Sequence, residues 1–314
     1  MGGIEAITYL TGIAILLMLG VLATAVAKRL KVSNILLLVL VGVLIKNSPF
    51  GGNEVFQFPG QFMVGLAVLT LAMIVFDGTS RLSIHTVDVH TNKAVEMTFI
   101  YLAVNIVLVA SLTRLLFFDW TLTGVMHALI FAVVMTGTDP GSTFVLLGDV
   151  KHKALDFLRI EAIFNTPIVV VIPFFLFDLL RDVTSLSVAA TFSSFLQQVL
   201  VQVVVGVGAG VLLGIIVFRV MRKYYSETLS PVAIIGAAIL TYVLAESLEG
   251  NGVLAVATLG LVFGNTYVKH RGELLDFSNL LTLALEILVF MLIGLLVTLE
   301  FPLVFLIKTL ILFV

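Results

Sequence analysis

The stretch Ala128-Leu-Ile-Phe-Ala-Val-Val-Met-Thr-Gly-Thr-Asp-Pro-Gly141 decides how this chain is read. Its first eight residues are uniformly apolar and suit a buried helix. Pro140 then removes a backbone donor and clashes with the preceding turn. With Gly137 and Gly141 on either side, the spacing predicts that the helix breaks here. Asp139 is placed to cap a second half-helix whose first position is Pro140. The carbonyls that end the first half-helix are then freed. The break falls inside one long apolar segment, 122–148. At membrane depth, interrupted helices are tolerated where they line a cavity, and transporters build ion sites from them. The plainer reading is a proline kink with Asp139 as a structural cap, although serine or asparagine would serve that purpose without a charge.

Working outward, the rest of the chain places this segment in lipid. Hydrophobic residues make up 60% of the sequence and charged residues 11%. Soluble domains run to about a quarter charged. A globule of this size has too little interior to hide so much apolar surface, so the chain is read as an all-α integral membrane protein. The net charge of −2 gives no reason to expect a nucleic-acid partner. With no cysteine, neither a disulfide nor a thiolate metal site is available. The five histidines lack metal-ligand spacing, and no nucleophile elbow or phosphate loop appears. Neither an enzymatic constellation nor a cofactor site is therefore expected, and no metal beyond a transported monovalent cation.

A helix needs roughly 20 apolar residues to cross the hydrocarbon core. The expected spans are 4–27, 33–48, 61–79, 94–117, 122–148, 155–180, 190–218, 229–248, 252–267 and 276–299, with another apolar run from 301. With the N-terminus outside, the inner loops collect Lys28, Arg29 and Lys31; Arg81 and Lys93; Lys151 and Lys153; Arg219, Arg222 and Lys223; and Lys269 and Arg271. The outer loops hold only Lys46, Arg114 and Arg181. This asymmetry is the positive-inside pattern, and losing or adding a span would scramble it. The run from Phe301 to Val314 is too short to cross, so the chain is expected to be a fragment, to be completed by another polypeptide, or to end at the interface. Gly206, Gly210 and Gly214 recur every fourth residue and predict close helix packing.

Ionisable residues within spans are functional candidates. Glu161 and Asn165 are four apart in 155–180 and share one helix face. They could serve a cation path or glue helices together. Asp77 ends the third span, and an interfacial solvated role is an equal alternative. Glu286 lies near the middle of the span 276–299. Glu246, near an outer span end, reads as a wet interfacial residue, and the lone His127 as a packing residue.

Four segments, in order, resemble the monovalent cation:proton antiporters of the NhaP and Na+/H+ exchanger type. Phe76-Asp77-Gly78 is similar to that family's Phe-Glu-Gly, and Thr138-Asp139-Pro140 to the Thr-Asp-Pro of its first broken helix. Glu161-Ala-Ile-Phe-Asn165-Thr166 is similar to Glu-Ser-Leu-Phe-Asn-Asp, and Gly252-Val-Leu-Ala-Val with Gly260-Leu-Val-Phe-Gly264-Asn265 to a later glycine-rich span. Glu286 with Phe290 and Gly294 is similar to the exchanger branch's Glu-x-x-x-Phe-x-x-x-Gly. The resemblance covers essentially the whole chain and implies a C-terminal truncation, with the family's second broken helix, carrying its Gly-Leu-Arg-Gly motif, lying beyond Val314.

The resemblance implies a polytopic, inverted-repeat bundle acting as one transporter domain over 1–314. Helices of the dimerisation type would occupy about 1–79 and 190–299, and core helices about 94–180, with the remainder of the core beyond 314. It implies a homodimer in lipid, in a prokaryotic plasma membrane, exchanging Na+ or K+ for H+ by alternating access. Asp139 and the Thr138 carbonyl would face the ion, with Asp77 in an outer shell, while Asn165 supports the broken helix and Glu161 joins a structural ion pair. Pro140 would start the second half-helix. Thr166 stands where the family has its ion-binding aspartate, and Ala162 where it has serine. Threonine still offers a neutral oxygen, so Asp139, with Asn165 and Thr166, is expected to carry the exchangeable charge. Two other readings remain open: an uncoupled cation channel, and an incomplete transporter half without activity alone.

Overall fold

The computed structural model describes residues 2–48, 58–81, 91–137, 188–297 and 302–313, together with 161, 165, 169, 172, 173, 176, 177 and 180. Among these residues every element is helical. In chain order they are α1 (Gly2–Leu30), α2 (Asn34–Lys46), α3 (Gly60–Ser80), α4 (Thr91–Phe117), α5 (Leu122–Met135), α6 (Val188–Lys223), α7 (Leu229–Ser247), α8 (Gly252–Asn265), α9 (Arg271–Leu296) and α10 (Leu303–Phe313). α1 to α4 and α6 to α9 match expected spans to within about five residues, α5 covers the first part of the expected span 122–148, whose residues 138–148 lie outside the described ones, and α10 falls in the short apolar run from 301. The described residues of 161–180 are helical as well. Six helices among the described residues are long and apolar enough to cross a membrane. Helices dominate because each satisfies its own backbone hydrogen bonds, which lipid cannot do.

The helix starts follow local chemistry. Ser33 caps α2 through Leu36 N–H, Thr121 caps α5 by accepting from Gly124 N–H (3.1 Å), and Asn251 caps α8 by accepting from Leu254 N–H (2.8 Å). Glu246 adds to the last of these. Its Oε1 accepts from Gly252 N–H at 2.8 Å, so this exposed carboxylate also meets the positive end of α8. His127 is bonded to the Thr123 carbonyl and stacked on Phe118, which is the packing role expected of it.

Two sets of helices pack most extensively. In the larger set, α8 lies against α6, α3 and α7, while α9 lies against α2, α3 and α1. In the other, α5 packs on α4, and α10 leans on α4 through Phe117 and Phe305, whose ring centroids are 5.6 Å apart. The core of the larger set centres on fully buried Phe76, Phe218 and Phe263, with Phe263 5.6 Å from Phe76 and 5.1 Å from Phe218. In lipid, helices associate through close packing rather than expulsion of water, so small residues decide which backbones meet. The stripe on α6 does this against α8. A Cβ at Gly206 would lie 2.8 Å from the Asn251 carbonyl oxygen, one at Gly210 would strike the Ala255 carbonyl, and one at Gly214 would lie 2.9 Å from Val262. The crossing of α2 and α9 is equally close, with Gly42 and Gly294 facing each other backbone to backbone.

Candidate functional site

α5 stops at Met135 after 14 residues. At 1.5 Å per residue it rises roughly 21 Å, short of the roughly 30 Å hydrocarbon core. Its last carbonyls have no partner within the helix and must find one elsewhere. Side chains from two other helices meet its end. Thr136, the C-cap residue, is fully buried. Its hydroxyl donates back to the Ala132 carbonyl (2.7 Å) and accepts from Asn105 Nδ2 of α4 (3.0 Å). The Thr136 carbonyl accepts from Asn165 Nδ2 at 3.1 Å. The same amide nitrogen donates to Glu161 Oε1 at 2.7 Å.

Glu161 and Asn165 are 4% and 0% exposed, so a carboxyl and an amide lie at the end of a half-length helix with almost no contact with the surroundings. The four-residue spacing seen in sequence explains their mutual bond. The face they share continues along the helix at 169, 172, 173, 176 and 180, where Ile172 and Leu176 pack with Ile130 and Val133 of α5. Just past the cap, Gly137 lies against this face, where a Cβ would stand 3.2 Å from Val169. The junction therefore has a C-terminal helix end, with its partial negative charge, beside a buried acid. Such an arrangement suits a cation and repels anions.

Of the residues expected at the site, the structure brings together Asn165 and Glu161, and it joins Asn165 to Thr136 at the start of the quoted turn. Thr138, Asp139, Pro140 and Thr166 lie outside the described residues. Asp77 and Glu286 belong to the larger helix set. Glu286 is half-buried on α9, between buried Leu285 and Ile287. The side chain of Asp77 is 14% exposed and is held by Arg81 through Nε to Oδ2 at 3.2 Å and Nη2 to Oδ1 at 3.0 Å. Among the described residues no group of histidines and acids could hold a resident metal ion.

Sequence reasoning passed over three contributors. Asn105 carried no motif, and its role follows only from the packing of α4 on α5. Thr136 lay in the quoted turn but was not singled out. Arg81 was counted as an inner-loop charge, although its four-residue distance from Asp77 on one helix was legible.

The profile of the family described as "Sodium/hydrogen exchanger, transmembrane" matches residues 13–314. The chain is 26% identical over 292 residues to the K(+)/H(+) antiporter NhaP2 of Shewanella sp. (strain ANA-3), covering 91% of this chain and 49% of that protein. It is 28% identical over 306 residues to the Na(+)/H(+) antiporter NhaH of Halobacillus aidingensis, covering 90% of this chain and 72% of that one. In fold it is similar to the sodium proton antiporter MjNhaP1 of Methanocaldococcus jannaschii, with a TM-score of 0.72 at 21% identity over 94% of this chain and 72% of that chain. The chain thus spans about half the length of the NhaP2 relative.

Proposed function

The chain belongs to the sodium/hydrogen exchanger family of multi-pass membrane proteins, and from that premise we propose that it exchanges a monovalent cation, Na+ or K+, for protons by alternating access. The observation that carries this reading is the buried helix end at Thr136, held by Asn165 beside buried Glu161. Asp139 follows three residues later and supplies the exchangeable carboxylate, with the Thr138 carbonyl, Asn165 and Thr166 as neutral oxygen donors. A carboxylate in a dehydrated site holds either a proton or a cation, because each satisfies the same charge. Competition for that one acid couples the two fluxes, provided that the acid faces each side in turn.

The packing into two helix sets supports the division of labour this requires. Helices of the core type, 94–180, carry the acid. Those of the dimerisation type, 1–79 and 190–299, hold still against the bilayer and a second copy of the chain. Asp77 lies along the path of the ion, while Glu286, Glu161 and Pro140 keep the helices in place. The chain sits in a prokaryotic plasma membrane with its N-terminus outside.

The test is transport in proteoliposomes holding a pH-sensitive dye. An imposed Na+ or K+ gradient is expected to move protons in the wild-type protein and not in Asp139→Asn. Unaltered exchange in Asp139→Asn would overturn the assignment of Asp139. Cation current that ignores the pH gradient would instead identify an uncoupled channel, a rival suggested by Thr166 in the place of a second acid, and no transport by the wild-type chain would favour an incomplete transporter half.

A further inference from the structure

The Asp77–Arg81 pair is lopsided. The carboxylate is 14% exposed and the guanidinium side chain 45% exposed, although both leave the same turn of α3. The pair is bidentate, the stronger geometry for a charge-assisted bond. The backbone beneath it is clamped from three sides. Arg271, at the start of α9, donates through Nη2 to the Ser80 carbonyl at 2.8 Å. Ser80 Oγ donates to the Asp77 carbonyl at 2.9 Å, and Thr79 Oγ1 to the Val75 carbonyl at 2.7 Å. Gly260 of α8 lies so close that a Cβ there would strike the Thr79 hydroxyl and stand 3.0 Å from the Phe76 carbonyl oxygen. Phe76 itself is fully buried against Phe263. The turn therefore cannot carry Asp77 away from Arg81. The free motion belongs to the long, half-exposed arginine side chain, which can swing out while the carboxylate stays.

We propose that Arg81 is a tethered stand-in for the transported cation, seated on Asp77 when the path is empty and displaced when a monovalent cation arrives. This rests on the reading that Asp77 lies on the path of the ion. The physical reason is charge. A largely buried carboxylate without a counter-charge is unfavourable, so it must be neutralised by a cation or a proton. Arg81 supplies that charge at a high effective concentration, and an incoming K+ or Na+ must compete with it. Arg81 thereby sets the affinity of the path at Asp77 and keeps it weak enough for release. An arginine performs this better than a lysine because its planar fork matches the carboxylate and its charge is permanent.

The test measures cation-driven proton exchange in proteoliposomes at one pH, with K+ and separately with Na+, on wild-type, Arg81→Gln, Arg81→Lys, Asp77→Asn and the double variant. Arg81→Gln is expected to lower the apparent KM about two- to fivefold, the range of a partly exposed ion pair, without raising the maximal rate. Arg81→Lys falls between wild-type and Arg81→Gln. Asp77→Asn raises KM, and adding Arg81→Gln to it changes nothing further, which is the coupling a double-mutant cycle detects. Should Asp77→Asn raise KM while Arg81→Gln leaves it alone, the stand-in is wrong and the placement of Asp77 survives. Should Asp77→Asn leave KM unchanged, the placement itself is wrong. A parallel readout needs no turnover: K+ titrated onto detergent-purified protein raises Tm by binding the folded state. Half of that rise is expected at a lower K+ concentration in Arg81→Gln. A lower Tm at zero K+ with an unshifted midpoint marks a purely structural pair and overturns the proposal.

Discussion

At the residue scale the junction around Thr136 is joined, among the described residues, by hydrogen bonds from Asn105 and Asn165. Asn165 Nδ2 serves the Thr136 carbonyl and Glu161 at once. Replacing it with alanine strips a bond from a buried carbonyl and another from a buried acid. Bonds to charged groups contribute about 1.5–3 kcal/mol, and an unsatisfied buried group costs about 1–3 kcal/mol. Asn165→Ala is therefore expected to lower Tm clearly in detergent and to reduce exchange. Thr136→Val keeps the shape and loses only the hydroxyl's bonds to Asn105 and Ala132. Its expected cost is smaller, about 1 kcal/mol. The two variants, compared by thermal unfolding, rank the amide above the hydroxyl. An equal or reversed ranking would mean that Asn165 does not hold the helix end.

The elements are joined where glycines let backbones touch. Gly42 of α2 and Gly294 of α9 meet with no room for a side chain, since a Cβ at Gly294 would lie 2.9 Å from Gly42 Cα and strike the Val39 carbonyl. Gly65, on α3, has open space where its side chain would be. Overpacking costs about 1–3 kcal/mol, whereas alanine for glycine in an open helix position gains up to about 1 kcal/mol. Gly294→Ala is thus expected to lower Tm and Gly65→Ala to leave it unchanged or raise it. Gly260→Ala should do more than destabilise. By pushing on Thr79 it disturbs the turn that carries Asp77 and Arg81, so the cation dependence of exchange should change along with Tm.

For the whole molecule the decisive quantity is which loops face which side. The chain has no cysteine, so introduced cysteines can report this directly. Tyr224, between α6 and α7, is 68% exposed and follows Arg219, Arg222 and Lys223; Leu248, between α7 and α8, is 55% exposed. With the N-terminus outside, an impermeant maleimide added to intact cells is expected to label Leu248→Cys and to reach Tyr224→Cys only after permeabilisation. The opposite pattern would invert the topology and the direction assigned to every loop.

Among the described residues the places of most helices were legible in the sequence because each is a local property. A membrane helix closes its own hydrogen bonds and must be long enough to cross a layer of fixed thickness, so apolar runs and flanking charges mark it out. The polar pair Glu161–Asn165 was equally legible, since four residues on one helix place two side chains together. The pairing of Asp77 with Arg81 has the same spacing. What only the tertiary structure decided was which distant groups meet. Asn165 reaches Thr136 across 29 residues of chain, Asn105 reaches it across 31, and Arg271 reaches Ser80 across 191. Those meetings depend on which helix faces touch, and that choice is made by small residues such as Gly42, Gly260 and Gly294, whose partners no periodicity names. In lipid an apolar helix face is nearly indifferent among its neighbours, so close fit selects the partner.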